Sequence, residues 1–123
     1  MKRITVAIGG ALLLVALTAG ATHEIAIHVS PRMSFEPTDL TIRVMAERHP
    51  DNRLIRVVAE SPEFGCSSDR QLDGEASPRL AMFECRHVPA GSYEIRAMLI
   101  GSNGRTRAET RTEVTVIPRG IGR

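Results

Sequence analysis

The chain has no tryptophan, one tyrosine and three phenylalanines in 123 residues, so any core must be built mainly from aliphatic side chains. Lysine occurs once, at Lys2, and every other cationic side chain is an arginine. Arginine favours planar ion pairs, but a general codon bias accounts for the pattern more simply. Only two cysteines are present, Cys66 and Cys85, which excludes a four-cysteine zinc module, and their spacing is not that of a C-x-x-C redox pair. Signatures of hydrolytic and nucleotide chemistry are missing as well. There is no G-x-S-x-G, no H-E-x-x-H and no glycine-rich phosphate loop. On these absences the chain is expected not to be an enzyme and to need no cofactor.

What is present begins with an address. Lys2 and Arg3 precede an uncharged apolar run from Ile4 to Leu17, and Ala19-Gly20-Ala21 supplies small residues where a signal peptidase reads. Residues 1–21 are therefore expected to be a secretory signal cleaved before Thr22. An uncleaved N-terminal anchor is the alternative, although the run is marginal against the roughly 20 residues a spanning helix wants. No cysteine follows the run to accept a lipid, and no later segment is apolar enough to span. The protein is expected in the periplasm or outside the cell. A single domain over 22–118 and a disordered tail over 119–123 would complete the chain.

Removing Lys2 and Arg3 from 16 basic residues leaves 14, equal to the 14 acidic ones. A formally neutral chain has no long-range field to draw in nucleic acid or anionic lipid. Export also bears on the cysteines. In an oxidising compartment a lone pair with 18 intervening residues is most simply a disulfide. His87 lies two residues after Cys85, and alternate strand residues share a face, so a reactive cysteine is the competing reading.

Alternation of apolar and polar residues marks about seven strands. Ile25, Ile27 and Val29 form one face of the first, and Pro31 and Pro37 bracket a connection. Leu40, Ile42, Val44 and Ala46 point inward in the second; Ile55, Val57 and Ala59 do so in the third. A short strand around Cys66 gives way to a polar connection. In the strand Arg79 to Cys85, a bridged Cys85 would carry Ala81 and Phe83 inward; otherwise Leu80 and Met82 face the core. Tyr93, Ile95, Ala97 and Leu99 alternate up to Gly101-Ser102-Asn103-Gly104, and Ala108, Thr110, Thr112, Val114 and Val116 alternate after it. Charge favours a register with Arg96 opposite Glu109 and Glu94 opposite Arg111. The other register sets Arg96 against Arg111 and Glu94 against Glu113, and like charges facing each other cost energy.

Short strands with a turn about every ten residues predict an all-β, immunoglobulin-like Greek-key β-sandwich. Pro89-Ala90-Gly91-Ser92-Tyr93-Glu94-Ile95 resembles the Gly-x-Tyr step into the sixth strand of immunoglobulin-like and fibronectin type III-like domains. That resemblance implies a tyrosine corner, Gly91 leading into Tyr93 and the Tyr93 hydroxyl closing onto backbone just upstream. Antibody-type domains carry a cysteine two residues after that tyrosine and a core tryptophan. Ile95 and the absence of tryptophan direct the resemblance to the broad bacterial secreted class.

The function expected is a non-catalytic protein-interaction or structural module of the cell envelope, monomeric, with a protein partner of unknown identity and no nucleic acid. Its candidate recognition surface is the polar stretch from Ser67 to Pro78 beside the bridge, with Ser67, Ser68, Asp69, Arg70 and Asp73 as contact residues. The alternative is a copper or other metal carrier using His23, His28 and Met33, since imidazole and thioether suit copper.

Overall fold

Where apolar and polar residues alternate, one face of a strand must find a second sheet to cover it. The protein meets this demand with two sheets stacked face to face. A computed structural model describes residues 24–120; the expected signal segment, its cleavage point and His23 lie outside the described residues. Eight strands follow in chain order: β1 (Ile25–Ser30), β2 (Met33–Phe35), β3 (Thr38–Ala46), β4 (Asn52–Ser61), β5 (Phe64–Gln71), β6 (Leu80–Val88), β7 (Gly91–Gly101) and β8 (Thr106–Ile117). A three-stranded sheet has the order β1-β3-β6, and a five-stranded sheet the order β2-β8-β7-β4-β5. Every pairing is antiparallel except β2 with β8, which is parallel. The class is all-β and sandwich-like, as the alternation predicts.

The inward residues of both sheets form one layer. Leu40, Ile42 and Val44 of β3, and Ile95, Ala97 and Leu99 of β7, have no measurable exposure. Tyr93 is the one large aromatic fully inside, with Phe64 edge-on at 6.1 Å between ring centroids. Its hydroxyl donates to the Pro89 carbonyl oxygen at 2.8 Å, so burial of the ring leaves its polar end paired. Ala81, Phe83 and Cys85 are buried while Leu80 and Met82 are exposed, which fixes the face of β6.

The disulfide expected between Cys66 and Cys85 is formed, with the Cα atoms 6.2 Å apart. Its place is informative. β5 and β6 are edge strands of opposite sheets, so the bridge closes one open side of the sandwich. On the other side the chain itself crosses, leaving the three-stranded sheet after β1 and joining the five-stranded sheet as β2. The plain connection expected between Pro31 and Pro37 is thus corrected. A run of three residues is too short for alternation to show, yet it pairs Met33, Ser34 and Phe35 with Thr115, Val116 and Ile117.

The hairpin register also departs from expectation. Arg96 faces Arg111 and Glu94 faces Glu113, the pairing that charge argued against. Turn geometry decides it. Ser102, Asn103 and Gly104 form a three-residue loop, with Gly104 at φ 80° and Gly101 N–H donating to the Arg105 carbonyl. A glycine in the left-handed region favours this loop. A bulge between Leu99 and Ile100 then restores the parity of the buried face. Charges are satisfied along diagonals and along the strand instead: Arg111 reaches Glu94 diagonally at 3.1 Å and Glu109 of its own strand at 3.3 Å, and Arg96 approaches Glu109 diagonally at 4.0 Å. Exposed ion pairs contribute about 0–1 kcal/mol each, too little to override a turn.

Two carboxylates pin loops to strands. Asp51 is held below its ordinary value by the Ser102 hydroxyl and then by the Ser102 N–H; with Arg107 it also leaves no room for a side chain at Gly101. Glu36 is lowered by the N–H groups of Ala90 and then Arg119. Of the tail 119–123 expected to be disordered, residues 121–123 lie outside the described residues, and Arg119 is bonded to Glu36. Its backbone and guanidinium both bond Glu36, and the guanidinium lies 5.7 Å from the Phe35 ring centroid.

Replacing both cysteines by serine is expected to cost about 3 kcal/mol in urea unfolding, the loop-closure value for a bridge of this span. Tyr93→Phe leaves the Pro89 carbonyl without its donor and should cost about 1 kcal/mol. For Asp51 and Glu36 the folded values lie below the unfolded ones, so their contribution is complete above the unfolded carboxylate range near pH 4 and is lost as pH falls through the folded values. Acid unfolding of Asp51→Asn should therefore show a shallower pH dependence below about pH 4 than the parent.

Candidate functional site

Parity places nine side chains on the outer face of the three-stranded sheet. Across β1, β3 and β6 they fall into rows: Ala26, Met45 and Leu80; then His28, Arg43 and Met82; then Ser30, Thr41 and Glu84. The first two rows are unusual for a solvent face. Met45 and Leu80 are each 45% exposed and Met82 is 47% exposed, and nothing polar separates Met45 from Leu80, its cross-strand partner. A shallow groove of about 370 Å³ runs over this patch, lined by Ala26, Ile27, His28, Arg43, Met45 and Leu80. Arg43, on the middle strand of this sheet, has no hydrogen bond or ion pair among the described residues. At one end Arg79 binds Glu47 at 2.9 Å.

The outer face of the five-stranded sheet is of another kind. Glu60, Glu94 and Glu113 line up across β4, β7 and β8, and a groove of about 410 Å³ lies beside them with Ser61, Ser92 and Thr115. Arg96 and Arg111 reach into this row, Arg96 to Glu60 at 3.6 Å and Glu94 at 3.8 Å. Its charges are largely answered within the chain, whereas the patch on the three-stranded sheet is not.

The residues singled out from sequence are distributed as follows. Ser67, Ser68, Asp69 and Arg70 belong to β5 and not to a loop; the connection begins only after Gln71, with Asp73 ahead of a 3-10 turn at Gly74–Ala76. A glycine, two serines and an aspartate dilute the strand signal there, and pairing with β4 supplies what propensity lacks. Asp69 is taken by Arg56, whose guanidinium meets both carboxylate oxygens at 2.9 and 3.0 Å; this pair lowers the Asp69 carboxyl. Arg70 crosses to the other sheet, donating to the Met82 carbonyl at 2.9 Å with its guanidinium 5.2 Å from the Phe83 ring centroid.

His28 and Met33 are not brought together. His28 sits on the outer face of the three-stranded sheet, Met33 on β2 in the other sheet, and no group of three or more His, Cys, Asp or Glu among the described residues could hold a metal ion. The pairing of Cys85 with His87 also fails. Cys85 is bridged, and a bulge opposite Thr38 and Leu40 breaks the alternation, leaving His87 at φ 57° with its N–H on Asp39.

The Met45–Leu80–Met82 patch was not singled out from sequence, though a signal existed. Once Cys85 is turned inward by its bridge, parity forces Leu80 and Met82 outward, and Met45 reads as outward in its own strand.

No protein-family model and no curated protein matches the chain. Among solved structures it is similar to the superoxide reductase (neelaredoxin) of Ignicoccus hospitalis, with a TM-score of 0.56, 16% identity, and coverage of 82% of this chain and 86% of that one. A variant of the same enzyme gives a TM-score of 0.58 at 18% identity, with the same coverage. A family 76 glycoside hydrolase from a bovine Bacteroides thetaiotaomicron strain gives 0.52 at 18% identity, over 75% of this chain but only 20% of that one. At these identities the likeness is one of fold. It nevertheless corrects the expectation that the chain is not an enzyme: its architecture is shared with superoxide reductases, so a small two-sheet fold without hydrolase motifs gives no ground against catalysis.

Because the patch side chains are half-exposed, Met45→Gln and Met82→Gln should each change unfolding stability by no more than about 0.5 kcal/mol. Both should lower the fluorescence of a bound hydrophobic dye, which checks that the patch is accessible in solution.

Proposed function

We propose that the chain is an exported, immunoglobulin-like Greek-key domain that works by binding protein in the cell envelope through the outer face of its three-stranded sheet. The observation that carries this is the cluster of Met45, Leu80 and Met82, each close to half exposed, around Arg43 of the central strand, which has no hydrogen bond or ion pair among the described residues. Contiguous exposed apolar area rimmed by polar groups marks interaction sites more often than chance surface does. Methionine suits such a surface, being unbranched and polarizable. Export is supported by the charge and small-residue pattern of residues 1–21 and by the Cys66–Cys85 disulfide, which persists in oxidising compartments. No described helix is long and apolar enough to cross a membrane. The immunoglobulin-like reading is supported by the pairing of β3 with β6 and of β4 with β7, by successive strands crossing between the sheets, and by the bond from Tyr93 to Pro89. The metal-carrier reading has no comparable support, since its described residues lie on different sheets.

A photocrosslinking residue in place of Leu80, in protein expressed in cells that export it, should yield covalent protein adducts after irradiation. The same residue in place of Glu113, on the opposite outer face, should yield none. Equal adducts from both positions, or none from either, would remove the proposal.

A further inference from the structure

The rows of the three-stranded sheet carry a symmetry that the patch alone does not reveal. Take the row Ala26–Met45–Leu80 as the centre. On one side lies the row of His28, Arg43 and Met82; on the other, Glu24 and Glu47 continue β1 and β3, joined by the bond from Glu47 N–H to the Glu24 carbonyl. A rotation of 180° about an axis along the central row reverses the strand direction and leaves each strand above its own copy. Arg43 of one chain then lies over Glu47 of the other, and Met45 and Leu80 over their own counterparts; the Glu24 carboxylate is turned to Arg107 of β8 at 3.1 Å and takes no part. The Arg43–Glu47 pair occurs twice, as a twofold contact requires.

We infer that this face pairs with the same face of a second copy of the chain, about a twofold axis along the Ala26–Met45–Leu80 row. The inference rests on the reading of this face as an interaction surface and names its partner. Charge complementarity selects that partner. Arg43 has no ion pair among the described residues, and Glu47, already bonded to Arg79 at 2.9 Å, keeps acceptor capacity for a second cation. Stacked sheets align within about 30°, close enough for the pairs beside the axis to meet. The footprint is small. Three strands about 4.8 Å apart and some seven residues long cover roughly 14 by 23 Å, well below the ~800 Å² per partner of a stable complex. The dimer is therefore weak, concentration-dependent and sensitive to salt.

Sedimentation velocity of the exported, processed protein from about 10 μM to about 1 mM, the span a small interface calls for, reads the association directly. The expected result is a shift from monomer to dimer that weakens as salt is raised. Arg43→Glu and Glu47→Arg, each confirmed folded by circular dichroism, should each weaken dimerisation by at least about tenfold, because each sets like charges together. The double exchange R43E/E47R should restore it. A constant monomer mass over the whole range, or a dimer indifferent to both single exchanges, overturns self-pairing. If the crosslinker at Leu80 then captures a different protein, the interaction reading stands and self-pairing alone fails. If it captures nothing, both fail.

Discussion

Everything in this domain depends on keeping two thin aliphatic faces pressed together, and the Cys66–Cys85 bond is what holds their open side closed. With no tryptophan and one buried tyrosine, the layer between the sheets is made mainly of Leu, Ile, Val and Ala, with Phe83 and Cys85 among them. Such side chains fill space well but impose little directional preference, so the relative placement of the sheets has to be fixed elsewhere. One side is fixed by the chain crossing from β1 to β2, the other by a covalent link between edge strands. Arg70 reinforces the same side by reaching from β5 to the Met82 carbonyl. Without these ties the sheets would share a greasy interface and little else to fix their angle.

Polar side chains then organise the periphery. Tyr93 uses its ring in the core and its hydroxyl on Pro89. Asp51 ties the β7–β8 turn to the loop before β4 through Ser102, and Glu36 ties the start of β3 to Ala90 and Arg119. The five-stranded sheet covers much of its outer face with glutamates and arginines that bind one another across and along its strands. The outer face of the three-stranded sheet instead clusters Met45, Leu80 and Met82 around an arginine with no hydrogen bond or ion pair among the described residues, and that contrast separates scaffold from surface.

Much of this was legible in the residues, and the failures have identifiable causes. Alternation is a local signal, so β1, β3, β4, β7 and β8 announce their inward faces. Cysteine count and compartment predict the bridge. β2 escapes because three residues cannot display a period, and its partner lies some 80 positions later in the chain. β5 was shortened because Gly65, Ser67, Ser68 and Asp69 have poor strand propensity, and a neighbouring strand compensates. The register of the last hairpin was misjudged because exposed charges were given more weight than the conformation of Gly104. The likeness to superoxide reductases has no local signature at all, since an architecture is shared there without a sequence pattern.

The parallel pairing of β2 with β8 has a mechanical meaning. The polypeptide leads into the domain just before β1 and leaves it just after β8, so a pull on its two ends draws β2 and β8 in opposite directions along a shared axis. Their hydrogen bonds are loaded side by side and must yield together, where an antiparallel pair pulled from one end would open bond by bond. Three residues between two prolines, invisible to any periodicity, thus give the domain a shear clamp beside its terminus.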